Sequence, residues 1–98
     1  MMAQMTGVVI TVRFRGHFRD LVGCESVMIR FEPGDFAGEG PTLESLWERL
    51  GQLLPDADAR ETIKQAVAFH DGRLLCADDR VGDGAIVHIL PPLAGGIS

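Results

Sequence analysis

The C-terminal segment contains the residues whose types and spacing best fit chemistry. Residues 90–98 read L-P-P-L-A-G-G-I-S, so two prolines and a Gly-Gly pair follow an apolar run. Pro91 and Pro92 cannot continue a sheet ladder and favour a stiff, extended exit. Gly95 and Gly96 carry no side chain, so their backbone can approach another protein closely and the Gly96 carbonyl is unhindered. A terminal Gly-Gly pair by itself favours a frayed tail, and the functional alternative is a thin peptide that threads into another protein's active site.

The histidines and cysteines show no recognisable site in the sequence. His17, His70 and His88 lie far apart, and no pairing of them with Cys24 or Cys76 has metal-ligand spacing. We therefore expect no metal site and two reduced thiols. His88 falls in a predicted strand, which favours a partly buried sheet residue over a ligand or general base.

Length and charge limit the function classes. The chain has 98 residues, enough for a single domain over 1–98 with a small core. Its net charge is −5 and Lys64 is its only lysine, which argues against binding to a nucleic-acid backbone. The composition does not suggest a membrane span, and residues 1–7 lack a signal-peptide pattern, so we expect a cytoplasmic protein with a frayed arm at 1–7.

Apolar residues first alternate with a period of two. Over 8–14 and again over 26–31, every second residue is apolar and is predicted to face the core, while Val9 and Met28 face outward. The residues between these strands suit a short helical turn over 18–22. We expect the two strands to pair antiparallel.

The period then changes to that of a helix. Thr42 fits an N-cap, leucines recur at helical spacing over 43–54, and Pro55 ends the pattern. Trp47 belongs to this apolar pattern and is expected to be buried. A weaker helical turn is predicted over 58–65.

The remaining sequence predicts three short strands, over 66–69, 74–77 and 85–90. The last of these is nearly continuous in apolar character, which predicts a central strand covered on most of both faces. The order of elements indicates an α+β roll, a mixed sheet of about five strands with one main helix across one face.

Four segments carry a resemblance to a known family. They are V-R-F with R-D-L-V-G, P-T-L-E-S-L, D-R-V-G-D-G-A-I-V-H-I-L-P-P and L-A-G-G, and they fall between residues 8 and 96. With them the chain resembles the MoaD/ThiS sulfur carriers, in particular the small subunits of molybdopterin synthases. The resemblance implies a ubiquitin-like β-grasp fold.

The resemblance also implies a carrier, or the small subunit of a sulfurtransferase, rather than a free-standing enzyme. In such proteins an E1-like partner uses ATP to adenylate the terminal glycine carboxylate, which becomes a thiocarboxylate that donates sulfur. Carried over, the reactive group is the carbonyl of Gly96, with Gly95 leading to it, and the chain itself binds no cofactor. The implied pathway is molybdenum cofactor biosynthesis. Thiamine synthesis, tRNA thiolation, cysteine synthesis and conjugation through Gly96 as a ubiquitin-like modifier stay open.

The end of the chain departs from the family pattern. The family's active form ends at the second glycine, whereas Ile97 and Ser98 follow here and hold the Gly96 carbonyl in a peptide bond. We predict cleavage between Gly96 and Ile97 by a JAMM-type metalloprotease. An artefactual extension and a divergent member that no longer carries sulfur are the alternatives.

A second partner is implied by the same resemblance. The large subunit of a molybdopterin synthase, or another sulfur acceptor enzyme, is expected to hold the tail and to contact the sheet face that carries Val9 and Met28. Within an extended, flexible tail over 91–98, the predicted docking neck begins one residue earlier and consists of Leu90, Pro91, Pro92, Leu93 and Ala94. An interaction domain with an inert tail is the alternative.

Overall fold

The computed structural model describes residues 7–38, 40–54 and 57–91. Most of the predicted N-terminal arm, residues 1–6, therefore lies outside the described residues. The helices and strands in the described part are β1 (Val8–Phe14), α1 (His17–Val22), β2 (Ser26–Phe31), α2 (Leu43–Leu53), α3 (Ala57–Ile63), β3 (Val67–His70), β4 (Arg73–Leu74) and β5 (Ile86–Leu90).

The strands form one mixed sheet in the order β2-β1-β5-β3-β4. β1 pairs antiparallel with β2 and parallel with β5, and β3 pairs antiparallel with both β5 and β4. The predicted α+β class, the mixed five-stranded sheet and the antiparallel pairing of the first two strands are confirmed. Because β5 is the central strand, the C-terminal segment leaves from the middle of the sheet.

The inner face of the sheet forms one apolar core with α2. Every second residue of β1 is buried, and Val87 and Ile89 of β5 are fully buried. Leu46 and Leu50 of α2 belong to the same cluster of buried residues. Each such side chain contributes about 1.5–3 kcal/mol relative to an exposed one, so this layer is the main source of stability.

The helix α2 begins at the predicted N-cap, but its tryptophan is less buried than predicted. Thr42 Oγ1 accepts a hydrogen bond from the Ser45 backbone N–H at 3.2 Å, which confirms the N-cap. Trp47 is only half-buried and lines a shallow groove with Ile63 of α3, so the prediction of a buried tryptophan was wrong. Consecutive helical residues point about 100° apart, so Trp47 lies at the rim of the face on which Leu46 is buried.

The short elements after α2 differ most from their predicted bounds. The weak turn predicted over 58–65 is a helix, α3, and β4 is shorter than the predicted strand over 74–77. The β4 strand ends early because Asp79 Oδ2 accepts a hydrogen bond from the Cys76 backbone N–H at 2.7 Å, which holds that segment in a turn. No helix in the described residues is long and apolar enough to cross a membrane.

Candidate functional site

The central strand leads directly to the segment that the sequence indicates as reactive. Leu90 pairs with Val67 of β3 and is half-buried, as is Pro91. The structure thus gives the start of the predicted docking neck. The other predicted site residues lie outside the described residues and stay predictions; they are Pro92, Leu93, Ala94, Gly95, Gly96 and Ile97.

The sheet face that points away from α2, here called the outer face, exposes large apolar side chains. Met28 is 72% exposed, Leu74 55% and Ile86 45%. One row of paired residues crosses all five strands on this face and consists of Leu74, Phe69, His88, Arg13 and Ser26. Met28 and Ile86 both pair with Thr11 of β1, which lies between them. Large apolar side chains left exposed on one sheet face favour a surface that another molecule covers.

The outer side of β5 corrects a sequence-based expectation. Val87 and Ile89 face the core and are fully buried, but Ile86 is nearly half exposed. The continuous apolar run predicted cover on most of both faces, and that prediction was wrong. The helix α2 joins the core on the inner side, while in the described residues Ile86 meets solvent on the other side. The apolar character of Ile86 is therefore not explained by the core.

His88 lies in the middle of the outer face, next to Arg15. Arg15 Nε donates a hydrogen bond to His88 Nδ1 at 3.3 Å. Burial lowers the pKa of His88 below its ordinary value of 6.5, and the nearby Arg15, Arg13 and His70 lower it further. A neutral ring that accepts at Nδ1 carries its proton on Nε2. His88 is thus a partly buried sheet residue, as the sequence predicts.

The other candidate ligands do not converge. His17 packs against Phe18, with ring centroids 4.8 Å apart, and His70 lies 3.7 Å from a carboxylate oxygen of Asp71. Cys76 is exposed and carries a free thiol, as does the half-buried cysteine at position 24. Within residues 7–38, 40–54 and 57–91, no group of three or more His, Cys, Asp or Glu side chains could hold a metal ion.

Solved structures of other proteins share this architecture. A Pyrococcus furiosus protein described as molybdopterin converting factor subunit 1 matches with a TM-score of 0.63 at 22% identity, covering 88% of this chain and 99% of that one. Haloferax volcanii small archaeal modifier protein 1 matches with a TM-score of 0.63 at 12% identity, over 88% and 99%. Subunit 1 of the Helicobacter pylori molybdopterin-converting factor, solved in complex with subunit 2, matches with a TM-score of 0.58 at 20% identity, over 91% and 100%.

The fold is a ubiquitin-like β-grasp. The expected resemblance to the MoaD/ThiS proteins is thereby confirmed for the fold. No protein-family model and no curated protein sequence matches the chain. At these identities the likeness establishes the β-grasp architecture, and the function has to be argued from the site.

On this β-grasp, basic side chains border the exit of β5. Arg13 and Arg15 are exposed next to His88, and together with Arg19 of α1 they line a polar groove beside Gly16. Glu25 lines the same groove and lies 3.8 Å from Arg19, so the basic rim on this chain of net charge −5 consists of Arg13 and Arg15. Such a rim favours a partner surface with acidic groups at the matching position.

Two residues at this exit were missed by the sequence reasoning. Arg15 directly follows β1, whose alternation already places Arg13 on the outer face, so extending the period by one step could have indicated Arg15. Gly16 is separated from Pro91 by most of the chain, and no local pattern indicates that they are in contact. The structure therefore adds the turn after β1 to the site.

Proposed function

We propose that the chain is a sulfur carrier that acts through a thiocarboxylate at Gly96, as the small subunit of a molybdopterin synthase. The observation that carries the proposal is that the Gly-Gly pair follows the central strand in the sequence, and that the sheet of this strand has exposed apolar side chains on one face. Two proteins of the same fold are described as subunit 1 of molybdopterin converting factor, and one of them was solved with its subunit 2.

The chemistry places few demands on the chain itself. A carboxylate oxygen of Gly96 attacks the α-phosphate of ATP, releases pyrophosphate and forms an acyl adenylate. Hydrosulfide (HS⁻) then attacks the acyl carbon and displaces AMP, and loss of a proton gives the thiocarboxylate with no change of oxidation state. An E1-like enzyme binds the ATP and supplies the catalytic groups. The chain contributes a carbonyl without neighbouring side chains, for which Gly95 and Gly96 are suited.

Activation requires a free carboxylate, so removal of Ile97 and Ser98 precedes it in this proposal. A JAMM-type metalloprotease that hydrolyses the Gly96–Ile97 bond would expose that carboxylate. In the unprocessed chain Ile97 follows Gly96, so the Gly96 carbonyl lies in a peptide bond and has no carboxylate to activate.

The outer face is the surface that the acceptor enzyme would cover. Met28 and Ile86 provide exposed apolar area, Val9 adds a half-buried apolar side chain, and Leu90 leads into the docking neck. A partner that buries this face brings its active site close to the exit at Pro91. We propose a synthase large subunit in this position, in the cytoplasm, and no nucleic acid or membrane as a partner.

Variants of Gly96 test the proposal in the chain that ends at this residue. Deletion of Gly96 and Gly96→Ala are both expected to abolish sulfur transfer while the melting curve stays almost unchanged, because the core cluster of the described residues lies between Val8 and Ile89. Leu53→Ala, at an exposed position of α2 outside the tail and the outer face, is the control and is expected to retain transfer. Sulfur transfer that survives the change at Gly96 would contradict the mechanism.

The likeness to small archaeal modifier protein 1 favours a second candidate function, conjugation through Gly96 to lysines of other proteins. A carrier yields the free chain with a thiocarboxylate, whereas a modifier yields conjugates of higher mass. Lys64 is the only lysine, so linkage of one copy to a lysine of another has to use it. Immunoblots of the source cells distinguish the two functions by the presence of conjugates that disappear on deletion of Gly96.

A further inference from the structure

The turn after β1 lies against the point where the chain leaves the sheet. The Arg15 backbone N–H donates a hydrogen bond to the carbonyl oxygen of Ile89 at 2.9 Å, which joins this turn to β5 just before Pro91. Gly16 follows with φ 61° and ψ −143°, a conformation that residues with a side chain rarely adopt. A Cβ atom on Gly16 would lie 3.2 Å from Cγ of Pro91 and 3.4 Å from its Cδ. The proline ring is therefore in close contact with the bare Cα of Gly16.

Regular pairing of β5 ends at this same contact. Leu90 is paired with Val67 of β3, and on the other side β1 ends at Phe14, opposite Ile89. Pro91 has no N–H with which to extend a ladder, and its ring restricts φ to about −65°. The direction of the chain after Pro91 thus depends on the position of the proline ring, which Gly16 contacts.

We propose that Gly16 is a positioning residue for the C-terminal tail, because the missing side chain lets the Pro91 ring lie where it directs the tail into a partner's active site. The inference rests on the proposed function, since the direction of the tail matters only if Gly96 reacts inside a partner. Displacement of a reacting group by about 1 Å can lower a rate about 100-fold.

The two glycines that flank α1 offer a matched pair of variants. Gly16 precedes the helix with φ 61°, and Gly23 follows it with φ 91°. A Cβ on Gly23 would meet no atom within 4 Å, whereas a Cβ on Gly16 would meet Pro91. Gly16→Ala and Gly23→Ala both place a side chain at a positive φ at one end of α1, with ψ −143° at Gly16 and 9° at Gly23, and only the first brings that side chain against Pro91.

Adenylation kinetics distinguish an effect on the direction of the tail, which changes kcat, from an effect on docking, which changes KM. The chain ending at Gly96 is assayed with its E1-like enzyme by ATP–pyrophosphate exchange. Gly16→Ala is expected to lower kcat at least about tenfold and to leave KM within about twofold, because the outer face is unchanged. Gly23→Ala is expected to retain both constants. Equal kcat values for the two variants would overturn the inference, because the Pro91 contact would then have no effect of its own.

A measurement on the full chain without a partner tests the contact itself. Nuclear Overhauser effects between the Gly16 Hα protons and the Pro91 ring protons are expected, and their absence would overturn the inference even if Gly16→Ala fails to fold. Failure of activation at Gly96, on which the proposed function depends, is distinguishable: the wild-type chain would then support no exchange at all, whereas failure of the inference alone leaves wild-type exchange intact.

Discussion

The two faces of one sheet carry apolar side chains for different reasons. On the inner face, Ile10, Val12 and Val87 are fully buried in a core shared with α2. On the outer face, Met28 and Ile86 remain 72% and 45% exposed. Loss of an inner side chain should affect folding, and loss of an outer one should affect association. The comparison separates the residues that maintain the β-grasp from those that it presents to a partner.

The largest expected effect on stability belongs to the inner layer. Leu46→Ala removes a fully buried side chain of α2 and is expected to lower the free energy of unfolding by about 2–5 kcal/mol. Leu53→Ala, in the same helix at 56% exposure, is the control and is expected to cost less than about 0.5 kcal/mol. Urea denaturation measures both. Similar losses for the two variants would break the distinction between a packed inner layer and exposed surface.

The outer face is expected to show the opposite behaviour. Leu74→Glu places a charge where an apolar partner surface would have to desolvate it, so we expect affinity for the synthase large subunit to fall at least about tenfold. Leu53→Glu has nearly the same starting exposure, 56% against 55%, but lies on the helical side. Isothermal titration calorimetry should give unchanged affinity for this control. Equal losses for both variants would mean that the outer face is not the docking surface.

The smallest expected effect comes from His88 on the outer face. Its pKa is lowered in the folded chain, so between pH 6.5 and the lower folded value the unfolded chain binds more protons. The contribution of this group to stability is complete above pH 6.5 and is lost as the pH falls below it. His88→Gln should therefore make the dependence of unfolding free energy on pH shallower between about pH 7.5 and 5. Identical slopes for both chains would contradict the assignment.

The positions of β1, β2 and α2 were predicted well because they follow from patterns among neighbouring residues. The alternation of β1 and β2 gave their bounds, and Thr42 with the following leucines gave the start of α2. The same patterns could not give the exposure of Ile86, because an apolar strand residue looks the same whether a second layer covers it or not. The exposure of Ile86 depends on whether the chain has a second layer of helices or strands to cover the outer face.

The part of the candidate site that consists of neighbouring residues was predictable from the sequence. The order of Pro91, Pro92, Gly95 and Gly96 is visible in the sequence and indicates a reactive tail. The contact between Gly16 and Pro91 depends on the parallel pairing of β1 with β5, which places the carboxyl ends of these two strands side by side. Only the folded sheet shows that the turn after β1 borders the exit.

The central claim is that the chain becomes a thiocarboxylate at Gly96. The most direct test is the intact mass of the chain isolated from its own cells without a C-terminal tag. The account predicts loss of Ile97 and Ser98, with one oxygen replaced by sulfur in part of the sample. A chain that retains both residues under every growth condition, with no sulfur gained, would contradict it.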